Sequence, residues 1–249
     1  MKIIHISDIH LVENGKIIWD TDTKSHFDKA INIIGNIKGV DAIFISGDLA
    51  DDGSRWSYKY IDEAFKSLGI PTYCCPGNHD NIDLMMKEFK FSFINIQEHV
   101  IIDGWNFYLL NTSVKGMSRG FLTEEKLKSI EKFIGNINTP IGFILHHPPI
   151  EPGGWLNRRL LEDRDNFNRI IYNFPNVKLV LFGHIHYHLK RTINNVLYSS
   201  ATAIGYAYDK ELPKFQIADG KEGFNLIEIS NELINIKNIL IYNWLWHLQ

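Results

Sequence analysis

Short apolar runs along the chain alternate with stretches in which apolar residues recur every three to four positions. The runs "KIIHIS", "DAIFIS" and "PTYCCP" read as strands, and the intervening segments around Ser25–Ile37 and Arg55–Ser67 read as amphipathic helices. Parallel neighbours in a sheet need crossovers, so this βαβαβ rhythm predicts a sheet with helices on its faces. "HVIID" and "WNFYLLNTS" flank Gly104 as a hairpin, and "TEEK" opens a further helix with Thr123 as its cap. Then come the strand "PIGFILHH", a helix near Arg159–Asn173 and the strand "VKLVLFGH". From "NNVLYSSATAIGY" through "GFNLIEIS" to "LINIKNILIY" the pattern gives consecutive strands without helices, which predicts a second sheet. No linker, repeat or low-complexity segment divides the chain, so residues 1–249 are expected to form a single domain of two sheets packed face to face with helices outside.

Composition narrows the function classes. The 249 residues are 45% hydrophobic, enough for a substantial core. With 26 basic and 29 acidic residues the net charge is -3, which argues against a stable nucleic acid partner. The first ten residues contain Asp8, His5 and His10 and do not read as a signal peptide, and no run reaches the roughly 18 apolar residues of a membrane span. A soluble, cytoplasmic protein is expected. Cys74 and Cys75 are adjacent and read as buried thiols in a strand, consistent with a reducing compartment.

Candidate chemistry lies directly after the strand-like runs. "SDIH" carries Asp8 and His10, "SGDLADDG" carries Asp48, "PGNHD" carries Asn78, His79 and Asp80, "LHHPP" carries His146 and His147, and "GHIH" carries His184 and His186. Each motif alone fits an ordinary turn or cap. Five strand-end motifs that all supply Asp, Asn or His predict a metal site, because residues beyond the carboxyl ends of the strands of an α/β sheet face a common crevice. Carboxylate, imidazole and amide donors without thiolate suit manganese, iron, zinc or cobalt in a catalytic rather than a structural site.

In order and content these motifs resemble the calcineurin-like metallophosphoesterase superfamily, and within it the class III 3',5'-cyclic nucleotide phosphodiesterases, through "ISDIHL", "SGDLADDGS", "PGNHD", "HHPP....GWLN", "FPNVKLVLFGHIH" and "KFQIADGKEGFNLIEI". The resemblance implies a four-layer α/β/β/α sandwich of two mixed sheets and two divalent or mixed-valence metal ions (Mn, Fe, Zn or Co). It implies Asp8, His10 and His186 on one metal, Asn78, His146 and His184 on the other, and Asp48 bridging. The implied reaction is attack by a metal-activated hydroxide on a small phosphodiester, a 3',5'-cyclic nucleotide being the preferred example. His79 would assist the leaving group, with Asp80 orienting its ring. A glycerophosphodiesterase or a broad phosphomonoesterase on the same centre is the alternative, and a non-catalytic metal-binding scaffold the remote one. Dimers are frequent in the resembled family, the one ground for expecting a homodimer.

Outside the expected ligand set, His147 reads as a supporting or substrate-side group, His5, His26, His99 and His247 as packing or surface residues, and His188 as a ligand of neither metal. Trp155 could pack or stack on a substrate. Tyr242, Trp244 and Trp246 alternate as a last strand docking on the core.

Overall fold

A computed structural model describes every residue except 14–15, 154–155, 158, 212–213, 215, 232 and 243–249. Trp155, Trp244, Trp246 and His247 lie outside the described residues.

The first half forms β1 (Lys2–Ile6), α1 (Thr23–Asn36), β2 (Ala42–Ser46), α2 (Arg55–Leu68), β3 (Thr72–Cys75), α3 (Ile82–Glu88) and β4 (Ile94–Asn95). There follow β5 (His99–Ile102), β6 (Trp105–Leu110), α4 (Glu124–Gly135), β7 (Ile141–Leu145), α5 (Arg164–Tyr172) and β8 (Val177–Phe182). The chain then adds β9 (Leu189–Ile193), β10 (Val196–Ser200), β11 (Gly223–Ser230) and β12 (Leu233–Leu240). Caps set the helix ends: Ser54 and Thr123 accept from the backbone N–H three residues on at the starts of α2 and α4, and Gly69 takes a left-handed turn to close α2.

The strands form two six-stranded mixed sheets, in the orders β12-β11-β1-β2-β3-β4 and β5-β6-β7-β8-β10-β9. Alternation along each central strand explains the layering. In β2, Ile43 and Ile45 join Phe27, Ile34, Tyr58 and Phe65 of α1 and α2, while Phe44 faces the other sheet. Likewise Phe143 and Leu145 of β7 pack under Ile130 of α4 and Phe167 of α5, while Ile144 points inward. Where the sheets meet, the Phe44 and Phe107 rings lie 4.8 Å apart. Strands buried on both faces read as nearly continuous apolar runs, and the α/β/β/α sandwich follows.

Two expectations need correction. The last strands do not build a second sheet of their own: β11 pairs antiparallel with β1 and β12 with β11, extending the first sheet, while β10 pairs with β8 and carries β9 on the second. Both sheets bury both faces, so alternation in the sequence could not tell which one a late strand joins. The helix expected near Arg159–Asn173 begins only at Arg164, because the preceding backbone is committed elsewhere. Leu160 O accepts from Gly120 N, and Glu162 N donates to Gly120 O. The hairpin at Gly104 is present, with Asp103 and Gly104 both at positive φ. Cys74 and Cys75 are buried free thiols.

Candidate metal centre

Asp8, Asp48, Asn78, His146 and His184 each follow the carboxyl end of a parallel strand, β1, β2 and β3 in one sheet and β7 and β8 in the other. The crevice is therefore shared by the carboxyl ends of strands from both sheets. Five of the seven expected ligands sit on strained backbone: Asp8, His10, Asp48, His184 and His186 all have φ between 46 and 70°. A left-handed conformation at a non-glycine residue persists only where its surroundings hold it, and such residues gather at functional sites. The surroundings here are main-chain hydrogen bonds between the loops. Asp8 N donates to Gly47 O, His10 N to Asp48 O, Gly183 N to His146 O and Gly205 N to Asp8 O.

All seven expected ligands converge. His10 Nε2 and His186 Nε2 are 3.1 Å apart, with Asp8 Oδ1 3.3 Å from the latter. Across the site, His146 Nε2 lies 3.1 Å from His184 Nδ1 and 3.2 Å from Asn78 Oδ1. Asp48 Oδ2 belongs to both groups, 3.2 Å from His146 Nε2 and 3.6 Å from His10 Nε2. Donors bonded to one cation at about 2.0–2.1 Å stand about 2.9–3.4 Å apart. The observed spacings fit that separation, and the converging atoms are lone-pair acceptors, so the donor set suits a pair of cations.

Second partners aim three of the four imidazoles. His10 Nδ1 is 2.9 Å from Asp51 Oδ1, His146 Nδ1 2.7 Å from Ser46 O and His186 Nδ1 2.6 Å from Tyr206 O. With the proton on Nδ1, each ring turns its Nε2 lone pair inward. His186 also stacks on Tyr208 at 4.2 Å, and Tyr206 packs on both His10 and His186.

The site's electrostatics follow from the same contacts. Burial pushes the Asp8 and Asp48 carboxyls up, but His186 beside Asp8 and His146 beside Asp48 outweigh it, and both are held below the usual carboxylate range. Burial drives His10 and His184 down, the latter to about 3, which keeps them neutral as ligands must be. At His146, burial is overcome by the charges of Asp48 and Asp8, lifting it to about 9; a cation bound there displaces that proton.

His79 stands apart from the buried set. Its side chain is 42% exposed, on a cleft of about 430 Å³ that Asp51, Asn78, Asn81, Ser113 and Lys115 also line. Here the structure corrects the sequence reading. Asp80 does not hold the His79 ring: its carboxylate accepts from Leu49 N, Ala50 N, Gly77 N and the Tyr58 hydroxyl, bracing the Asp48 loop against the "PGNHD" loop. The ring is held instead by Asp51, whose Oδ1 lies 2.9 Å from His79 Nδ1 and contacts His10 as well. Burial lowers His79, but the Asp51 hydrogen bond and the charges of Asp48 and Asp51 raise it to about 9. Asp51, Tyr206 and Tyr208 are the site residues that sequence reasoning missed. The acidic run "DLADDG" was the only signal for Asp51.

Gly77 is required on steric grounds, since a Cβ there would stand 2.1 Å from Asp48 Oδ1. Four histidines outside the motifs contact protein groups instead. His5 Nε2 contacts Ser46 Oγ, His26 Nδ1 contacts Gly205 O, His99 Nε2 contacts Asn106 Oδ1 and His188 Nδ1 contacts Ser200 O. Tyr242 approaches His26 Nε2 through its hydroxyl, at 2.8 Å.

Residues 1–188 match the calcineurin-like phosphoesterase family. The chain belongs to that family. Its motifs span the matched residues, and the expectation of a phosphoester hydrolase is met. A 3',5'-cyclic-nucleotide phosphodiesterase of Nostoc sp. is 31% identical over 92% of this chain and 88% of its own length. A 3',5'-cyclic adenosine monophosphate phosphodiesterase of Escherichia coli K12 is 29% identical over 76% of this chain and 70% of its own. Among solved structures, a dimetal phosphatase from Danio rerio superposes with a TM-score of 0.75 at 8% identity, covering 96% of both chains, a likeness of fold. Among the described residues no helix is long and apolar enough to cross a membrane.

Proposed function

We propose that this calcineurin-like phosphoesterase hydrolyses a small phosphodiester at a dinuclear metal centre, with a 3',5'-cyclic nucleotide as substrate. The observation that carries the reading is the position of Asp48 Oδ2, within 3.6 Å of the nearest imidazole nitrogen of each of the two donor groups. Asp8, His10 and His186 would hold one ion, Asn78, His146 and His184 the other, and Asp48 both. Such ions supply Lewis acidity toward the phosphoryl oxygens and a nucleophile from water near neutral pH. Manganese, iron, zinc and cobalt all suit the donors.

The chain's own residues do the rest. Asn78 and His79 are consecutive, so the group beside the phosphoryl site and the group facing the cleft are fixed by one loop. As the P–O bond to the leaving group breaks, His79, on the cleft wall, donates its Nε2 proton to the departing oxygen while Asp51 holds the ring by Nδ1. The wall of Tyr206 and Tyr208 behind His10 and His186 keeps water from that side of the centre.

Support for the substrate class comes from the two cyclic nucleotide phosphodiesterases that this chain resembles over most of its length. A relative named a glycerophosphodiester phosphodiesterase, 29% identical over 75% of the chain, supports the second reading. We further read residues 1–249 as one domain acting in the cytoplasm. The test is one panel with manganese-loaded protein: bis-p-nitrophenyl phosphate, cyclic AMP, cyclic GMP, glycerophosphodiesters and simple monoesters. The expected result is the highest kcat/KM on a cyclic nucleotide. Turnover of no diester with the metals in place would defeat the proposal.

A further inference from the structure

Three of the four imidazoles of the centre have a partner for the nitrogen that faces away from it; His184 does not. Its Nδ1 faces His146 Nε2 at 3.1 Å, the ligand side, so a neutral ring must carry its proton on Nε2. That nitrogen is buried and has no hydrogen-bond partner among the described residues. A second orphan lies beside it. His147, fully buried, bonds through Nδ1 to Thr112 Oγ1 at 2.8 Å, and its Nε2 is also buried without a partner among the described residues. The two rings are 5.0 Å apart between centroids and tilted by 47°, and one nitrogen from each of His146, His147 and His184 falls within a common 4.8 Å.

The geometry points to His147 as the positioning residue of His184. With its proton on Nδ1, donated to Thr112 Oγ1, His147 presents an Nε2 lone pair that one bridging water joins to the Nε2–H of His184. Both orphans are then satisfied. The chain Thr112, His147, His184 thus does for the first imidazole of "GHIH" what Asp51, Ser46 and Tyr206 do for the other three rings. The fold makes room for it through Gly120, which the bridge to Leu161 holds against His147. A Cβ on Gly120 would stand 2.5 Å from His147 Cγ.

This inference rests on the metal reading for its purpose, though its tautomer can be read without metal. Long-range proton–nitrogen correlation spectra of the full chain with labelled histidine, recorded metal-free and with zinc, should show the His147 proton on Nδ1 in both states. His147→Phe should weaken zinc binding at the weaker-held site by about 10- to 100-fold in a chelator competition, with the circular dichroism of the metal-free protein unchanged. Thr112→Val should remove the tautomer preference and weaken zinc in the same direction, and it decides the matter if His147→Phe does not fold. A His147 proton on Nε2, zinc bound at His147 Nε2 itself, or parental zinc affinity in the variants would overturn the proposal. A parent chain that binds no zinc would defeat the metal reading instead, leaving the metal-free tautomer to judge the hydrogen-bond chain.

Discussion

Replacing Asp80 by alanine should damage the fold more than the chemistry. Its carboxylate is buried and gathers three backbone N–H groups and a phenol from three parts of the chain: the loop after β2, the loop after β3 and helix α2. Hydrogen bonds to an ionised buried group are worth about 1.5–3 kcal/mol each, and an abandoned donor costs its desolvation. The terms do not sum. Burial and the nearby Asp48 charge disfavour ionisation of Asp80 and raise its carboxyl to about 6, so removing it returns part of the loss. A net cost of about 3 kcal/mol is expected, or roughly 6–12 °C in Tm for a chain of this size. Urea unfolding of chelator-treated protein, followed by circular dichroism, measures it free of metal linkage. Asp80→Asn, which keeps one acceptor oxygen, should recover part of the loss. An Asp80→Ala protein within 1 kcal/mol of the parent would refute the bracing role assigned here.

The complementary variant, Asp51→Ala, should leave stability within about 1 kcal/mol, since Asp51 is partly exposed, while kcat falls about 10- to 100-fold as His10 and His79 lose their common acceptor; parallel unfolding and rate measurements check this. His79→Ala should lower kcat by about 10²- to 10⁴-fold on a diester with a poor leaving group and leave the metal content unchanged, read by elemental analysis. Full rate on that substrate would exclude the acid role. Gly77→Ala should displace Asp48, whose Oδ1 would lie 2.1 Å from the new Cβ, so that the protein folds but retains fewer than two metals after gel filtration.

How far the sequence reveals the site depends on which contacts are local. The strand-end position of each ligand is a local property, an apolar run followed by Asp, Asn or His, and all seven side chains meet where the strand order predicts. The roles of Asp51 and Asp80 are not local. Asp51 and Asp52 are neighbours of identical type, yet only the loop geometry sends Asp51 to His10 and His79 and Asp52 to the backbone of Glu13 and Ser54. Asp80 follows His79 directly, which suggested a pair, but consecutive side chains diverge and its carboxylate turns into the loop. The same limit explains the late strands: β11 finds β1 from more than 200 residues away, a choice that period-two alternation does not encode.

A dinuclear centre requires two ions sharing Asp48, and metal stoichiometry tests that directly. Chelator-stripped protein reloaded with manganese, freed of excess by gel filtration and analysed for metal and protein together, should carry two ions per chain. A stoichiometry of one or none in a folded chain would contradict the dinuclear centre.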